Sequence, residues 1–352
     1  MSRALSIPIR ESSRRGLRER ETREYAFQDA NWWPSSILER AKKGHLLEDD
    51  LKTAYYEVSF RLRYVESTGD LFQSLFSTVM EMRYPGDFVR VRPWGKVGDR
   101  KNDGYLRSKR QLFQCYAPRE MSLPKCIKKI NEDFVGALPY WESHFDEWIF
   151  THNDTLGLAP DVLRLLLELT EKNKPLRATH WGYSELLAEF KMLSSSNVAT
   201  LLGPAPDRSD LVAIRVEDVK RLLEHIAIQP EPLTADVRSV PAEKLQYNQL
   251  SDAVATLLKA GMARSETVKK YLRGLADQTR YDRVAAAFRE RYNQLRAQGL
   301  PPNDLFLGLQ KFVVGDGFPD PSQQAATLAI LAFFFEACEI FERPPDGGSR
   351  QS

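Results

Sequence analysis

A change of period partway along the chain constrains its fold more than any other feature. Between residues 88 and 152 the apolar residues fall in short runs of period two. From about Ala159 to Glu342 they recur every three to four residues. The period-two part holds "FVRVR", with Val89 and Val91 on one face and Arg90 and Arg92 on the other. "NDGYL" and "QLFQCYAP" follow, joined by the polar "RSKR" as a hairpin loop, and "FDEWIFTHND" reads as a fourth strand. Helices are expected after Pro34, over "LEDDLKTAYYEVSFRLRYV" and over "DLFQSLFSTVMEMRY", where Phe72, Leu75, Phe76, Val79 and Met80 make one stripe. Another runs through "SLPKCIKKINEDFVGAL", with Ser122 as N-cap and Pro124 in the first turn.

The order helix, three strands, helix, strand is that of a compact α/β core, and a helical half follows it. The expected organisation is a basic arm over 1–33, an α/β part with preceding helices over 34–158, and a helical middle region over 159–240. A helical C-terminal interaction domain over 241–344 and a disordered tail over 345–352 complete it. The loop "LLGPAPDRSDLVAIRVED" has room for one further strand, and a subdivision is expected near residues 227–241. No fixed-period repeat is evident.

Composition narrows the function. At 352 residues, with 42% hydrophobic and 28% charged, the chain has enough apolar surface for two ordinary cores. The longest apolar run, "LAILAFFFEAC", is too short to span a bilayer, and the polar N-terminus lacks a signal-peptide core. A cytoplasmic location is expected. Cys115, Cys126 and Cys338 are odd in number and far apart, which excludes a disulfide framework and a CxxC zinc site. Ser-His-Asp sets, Walker A loops and dinucleotide fingerprints are absent, so no small-molecule substrate is expected. The net charge of +2 conceals a segment, Arg83 to Lys129, that carries about +9 and leaves the remainder acidic. A local field of that sign suits a polyanion.

The densest chemistry lies in "GDRKNDGYLRSKRQLFQCYAP", Gly98 to Pro118. Asp99 and Asp103 are four residues apart. Gln114 and Tyr116, two apart on a strand, share a face, with Cys115 on the opposite one. Two carboxylates suit Mg²⁺ or Mn²⁺, hard cations that take oxygen ligands. Cations surround them: Arg90, Arg92, Lys96, Arg100, Lys101, Arg107, Lys109, Arg110 and, on the next helix, Lys125, Lys128 and Lys129. Trp94 sits among the basic strands, where an indole can stack on a base. The same residues also suit a polar turn with Gln114 satisfying a buried hairpin. His144 and His152 flank the fourth strand, where packing or capping is the expected role and a metal role for His152 with Asp154 the alternative.

The αβββαβ order resembles the restriction-endonuclease-like fold of PD-(D/E)xK type. In that fold an Asp begins the second strand, an acid-x-Lys lies on the third, and Mg²⁺ assists phosphodiester hydrolysis. The resemblance makes Asp103 the metal-binding carboxylate, with Gln114 and Tyr116 at the acid and lysine positions. One charge of each sign is then missing. Lys129 or Lys128 on the second helix is the expected replacement cation, Asp99 a second carboxylate, and Gln73 stands where the first helix often carries an acid.

The strings "MEMRYPGDFVRVRPWGKVGDRKNDGYL", "FQCYAP", "KKINEDFVGAL", "WIFTHND" and "AATLAILAFFFEACEIFE" together resemble one bacterial family, the effector subunits of ABC three-component conflict systems. The resemblance runs from about Gly69 to Glu342. It implies defence against phage or plasmid DNA, partnership with an SMC-like ABC ATPase and a small middle component, and leaves room for oligomerisation. The family tends to carry Gln-x-Tyr on this strand. Two functions therefore stand: a Mg²⁺-dependent DNA endonuclease, and a non-catalytic DNA-binding or adaptor subunit that kept the fold. RNA is a third expectation for the basic strands. The all-apolar final helix is expected either in the core or as a surface for the ATPase.

Overall fold

The computed structural model describes residues 35–92, 100–226, 242–274, 279–315, 319–337 and 339–344. The expected arm, the 227–241 subdivision, the tail, and Trp94, Lys96, Asp99 and Cys338 lie outside the described residues. The chain from Leu46 onward is one compact unit.

Chain order begins with α1 (Ser35–Glu66) and α2 (Asp70–Arg83), followed by β1 (Phe88–Arg90), β2 (Gly104–Leu106) and β3 (Gln111–Tyr116). After α3 (Leu123–Trp141) come β4 (Glu147–His152), α4 (Pro160–Lys172), β5 (Arg177–Trp181) and α5 (Tyr183–Lys191). The rest is helical: α6 (Ser195–Leu202), α7 (Arg208–Ala213), α8 (Val216–Ile226), α9 (Ala242–Tyr247), α10 (Asp252–Met262), α11 (Ser265–Arg273), α12 (Thr279–Ala297), α13 (Pro302–Val314) and α14 (Pro321–Glu336).

One five-stranded sheet runs β1-β2-β3-β4-β5. The first two pairings are antiparallel and the last two parallel, with Gln114 opposite Phe150 and Tyr116 opposite His152. Each face buries its own apolar set. Phe88, Leu106, Phe113 and Ile149 pack with α2 and α5, while Leu112, Trp148, Phe150 and Ala178 pack with α3 and α4. The α2 stripe is buried at the expected spacing, Phe72, Leu75, Phe76, Val79 and Met80. Gly104 is required beside Asp103, because a Cβ there would lie 2.4 Å from the Phe88 ring.

Four expectations are corrected. The two helices expected before Gly69 are one, α1. The sheet continues past residue 158 into the edge strand β5, whose short, polar "RATHW" buries only Ala178 fully and so shows no apolar alternation. No strand forms in 201–218; α7 does. Ser122 occupies the N-cap of α3 in an extended conformation, but its side chain makes no capping bond.

The helical half has a separate core. At its centre α14 is buried from Gln324 to Phe335, which accounts for its lack of a polar face. Helix α1 contributes to both halves. Leu51, Ala54, Tyr55 and Val58 join the helical core, whereas Phe60 and Tyr64 join the α2 side of the sheet. Arg61 of α1 clasps Asp304 of α13 through two hydrogen bonds, 2.5 and 2.9 Å. No described helix is long and apolar enough to cross a membrane.

Candidate functional site

The candidate site forms where the N-terminus of α2 meets the ends of β2 and β3. Gly69 N–H donates to Ala117 O at 2.7 Å and seats α2 against the end of β3. The Asp103 backbone is held on both sides: its N–H donates to Phe113 O, and its carbonyl accepts from Val91 N–H. Its buried carboxylate accepts from Gln73 Nε2 at Oδ1, 2.8 Å, and from the Cys115 backbone N–H at Oδ2, 2.7 Å. Asp103 and Gln73 thus share one cleft of about 260 Å³ with Gly69, Asp70 and residues Gln114 to Pro118.

Gln114 is buried, and its Oε1 has no hydrogen-bond partner. A buried carbonyl left unpaired is costly, of order 1–3 kcal/mol. Burial pushes the Tyr116 phenol above its usual range, so it stays protonated and brings no positive charge. Burial, then the charge of Asp103, pushes the Cys115 thiol well up, so it is no nucleophile at neutral pH. The side chain lies on the sheet face opposite Gln114, as expected from the strand period.

The expected cations separate into groups. Lys129 lies 2.8 Å and Lys101 2.9 Å from the buried carboxylate of Asp133 on α3. Lys128 is exposed and pairs at 3.6 Å with Glu132, and Lys125 is exposed one turn earlier. Arg100 lies over the Tyr140 ring, and its carbonyl accepts from Trp141 Nε1. Arg107, Lys109 and Arg110 sit at the far end of the β2–β3 hairpin, about 10 Å along the strands from Asp103. There they engage Gly86 O, the Tyr84 hydroxyl and Asp146. Arg90 runs along α2 to Glu81, Ser74 O and Thr78. Arg92 is exposed just beyond β1.

Two residues escaped the sequence reading. Asp70 lines the cleft one helical turn before Gln73. Asp133 is an acid on the apolar stripe of α3, between Ile130 and Phe134, four residues after Lys129. Both had a legible signal in those spacings.

His152 is buried. Its Nδ1 accepts from Asp154 N–H, its Nε2 has no partner, and its carbonyl accepts from the Tyr64 hydroxyl. Burial first, then His180, lowers its pKa to about 4. Its role is packing between Phe150 and His180. The His144 carbonyl accepts from the Tyr105 hydroxyl. Among the described residues no three His, Cys, Asp or Glu side chains converge as a metal-holding group. The cleft instead combines two carboxylates with amide oxygens.

Residues 217–342 match the model of C-terminal domain 10 of the ABC-three component (ABC-3C) systems. This range runs from α8 through α14. The match supports membership of such a system, and with it partners drawn from the same system. No curated protein and no solved structure matches the chain.

Proposed function

We propose, taking the C-terminal match as premise, that this chain is the effector subunit of an ABC-three component system and that its α/β half is a metal-dependent deoxyribonuclease of restriction-endonuclease-like fold. The observation that carries the reading is one cleft holding a doubly hydrogen-bonded Asp103 carboxylate beside the unpaired Gln114 Oε1.

Those residues fit a hard cation. Asp103, Gln114 Oε1 and Asp70 are oxygen donors, and a buried amide oxygen without a hydrogen-bond partner suits a hard cation. Mg²⁺ or Mn²⁺, when bound, supplies Lewis acidity and an acidified water. The chain's own contribution is positioning. Each Asp103 oxygen accepts a hydrogen bond from a fixed N–H donor. Gln73 and the Cys115 backbone therefore set the carboxylate plane. Protonated Tyr116 donates a hydrogen bond to a phosphate oxygen, and the positive charge comes from Lys129 or its neighbours. The helical domain docks on the SMC-like ABC ATPase through the middle component, which confines cleavage to invading DNA.

Nicking of supercoiled plasmid by the reconstituted complex, with ATP and Mg²⁺, tests this. Asp103→Asn is expected to slow nicking by at least about 100-fold. A second reading, a DNA-binding or adaptor subunit without cleavage, draws on Tyr116 in place of a lysine and on Lys129 being engaged by Asp133. A wild-type complex that nicks nothing, or an Asp103→Asn complex that nicks as fast, selects it.

A further inference from the structure

Asp133 has no part in the cleft, yet its side chain is only 1% exposed, and aspartate is almost never buried to that degree unless paired. Its partners are two lysines from different elements. Lys101 Nζ lies 2.9 Å and Lys129 Nζ 3.0 Å from the same oxygen, Oδ1, so the two ammonium groups are near neighbours. They remain 38% and 33% exposed, with the carboxylate beneath them. Two part-exposed ammonium groups from different elements thus meet on one buried carboxylate.

The backbone is arranged to permit this. Arg100 and Lys101 both have left-handed backbone, φ 53° and 62°, which is unfavourable for a residue with a Cβ. Such strain persists only where surrounding contacts impose it, and here the Asp133 ion pair and the Trp141–Arg100 hydrogen bond do so. Gly136 gives the Lys101 stem its path, since a Cβ there would sit 3.0 Å from Lys101 Cγ. Lys101 precedes Asp103 by two residues, and α3 covers the sheet face that carries Leu112 and Tyr116.

We propose that Asp133 is a positioning residue that joins Lys101 and Lys129 into one binding site for a backbone phosphate of duplex DNA. The inference rests on reading the cleft as a phosphodiester site and deepens it. Asp133 keeps two like charges together that would otherwise separate, and it fixes both on the exposed side of α3.

Charge alone and positioning predict opposite signs for Asp133→Asn. Deleting a negative charge beside two lysines strengthens nonspecific DNA binding if Asp133 only neutralises them. It weakens binding if Asp133 positions them. The measurement is fluorescence anisotropy of a short labelled duplex with the full chain in EDTA, over a salt series. Lys101→Met and Lys129→Met are each expected to reduce the slope of log K against log salt, and the double variant by about 0.9, the share of one phosphate. Asp133→Asn is expected to weaken binding about tenfold despite the charge it removes, and Asp133→Glu to recover most of that loss. If Asp133→Asn melts too low to assay, the two lysine variants and Asp133→Glu decide. Binding by Asp133→Asn equal to or tighter than wild type, lysine variants with the wild-type slope, or a wild type that binds no duplex each overturn the proposal. Binding in EDTA does not depend on cleavage. Failure of nicking by Asp103 and failure of this site are therefore separate results.

Discussion

The Gln73 side-chain amide donates a 2.8 Å hydrogen bond to Oδ1 of Asp103, joining the first turn of α2 to the residue that leads into β2. Through Gly69 and Glu66 the same turn follows directly from α1, which lies in both cores. The orientation of the candidate metal-binding carboxylate is thus set from α2, the helix that directly follows the one shared between the two halves.

Gln73→Leu removes that donor while keeping the side chain's bulk. Loss of a hydrogen bond that orients a metal-binding group costs 10- to 100-fold in affinity or activity. Nicking by the complex is expected to require about tenfold more Mg²⁺, with the melting temperature of the chain little changed. A variant with the wild-type Mg²⁺ dependence would show that Gln73 does not orient Asp103.

Gln114→Glu restores the missing charge. In EDTA a carboxylate at this buried position, near Asp103, lowers the melting temperature. Mn²⁺ reverses the loss, because a ligand that binds only the folded state stabilises it in proportion to its affinity. The expected pattern is a larger Mn²⁺-induced rise in the variant than in wild type, read by thermal shift. Equal rises in both would exclude Gln114 as a ligand.

His152 makes stability acid-sensitive. Its pKa is about 4 in the folded chain against 6.5 as a free imidazole, so the unfolded state binds the extra proton first. The stability at stake is intact above about pH 6.5 and is lost as pH falls toward 4, by roughly 3 kcal/mol at the bottom of that window. Urea midpoints of wild type and His152→Gln at pH 7 and pH 4.5 check the sign. The wild type should lose more.

Arg61 and Asp304 link α1 to α13 as a part-buried bidentate pair, and Arg61 also lies over the Tyr183 ring. Asp304→Ala leaves the guanidinium uncompensated and is expected to cost about 3–5 kcal/mol. The double variant Arg61→Met, Asp304→Leu should recover most of that loss in urea denaturation. Additive losses would mean that the two residues act independently.

Helical spacing located α2, α3, α4, α5, α8 and the helices from α10 to α14, because a packed helix repeats its apolar stripe whatever it packs against. The β2–β3 hairpin was equally legible, since its turn residues and its alternation are local properties. The parity of β3 also separated Gln114 and Tyr116 from Cys115. Strand β5 was not legible, as its five residues bury only Ala178 fully and show no apolar alternation, and only its pairing with β4 reveals it. The partners in the cleft were also beyond local reading. Gln73 and Asp103 are thirty residues apart in sequence, and outside the cleft Lys101 meets Asp133 of α3 across the two strands of the hairpin. Sequence therefore determined which groups this protein has for chemistry, whereas the tertiary structure decided which of them meet. The reason is that side-chain period depends on neighbours a few residues away, while a hydrogen bond or an ion pair depends on where distant segments come to rest.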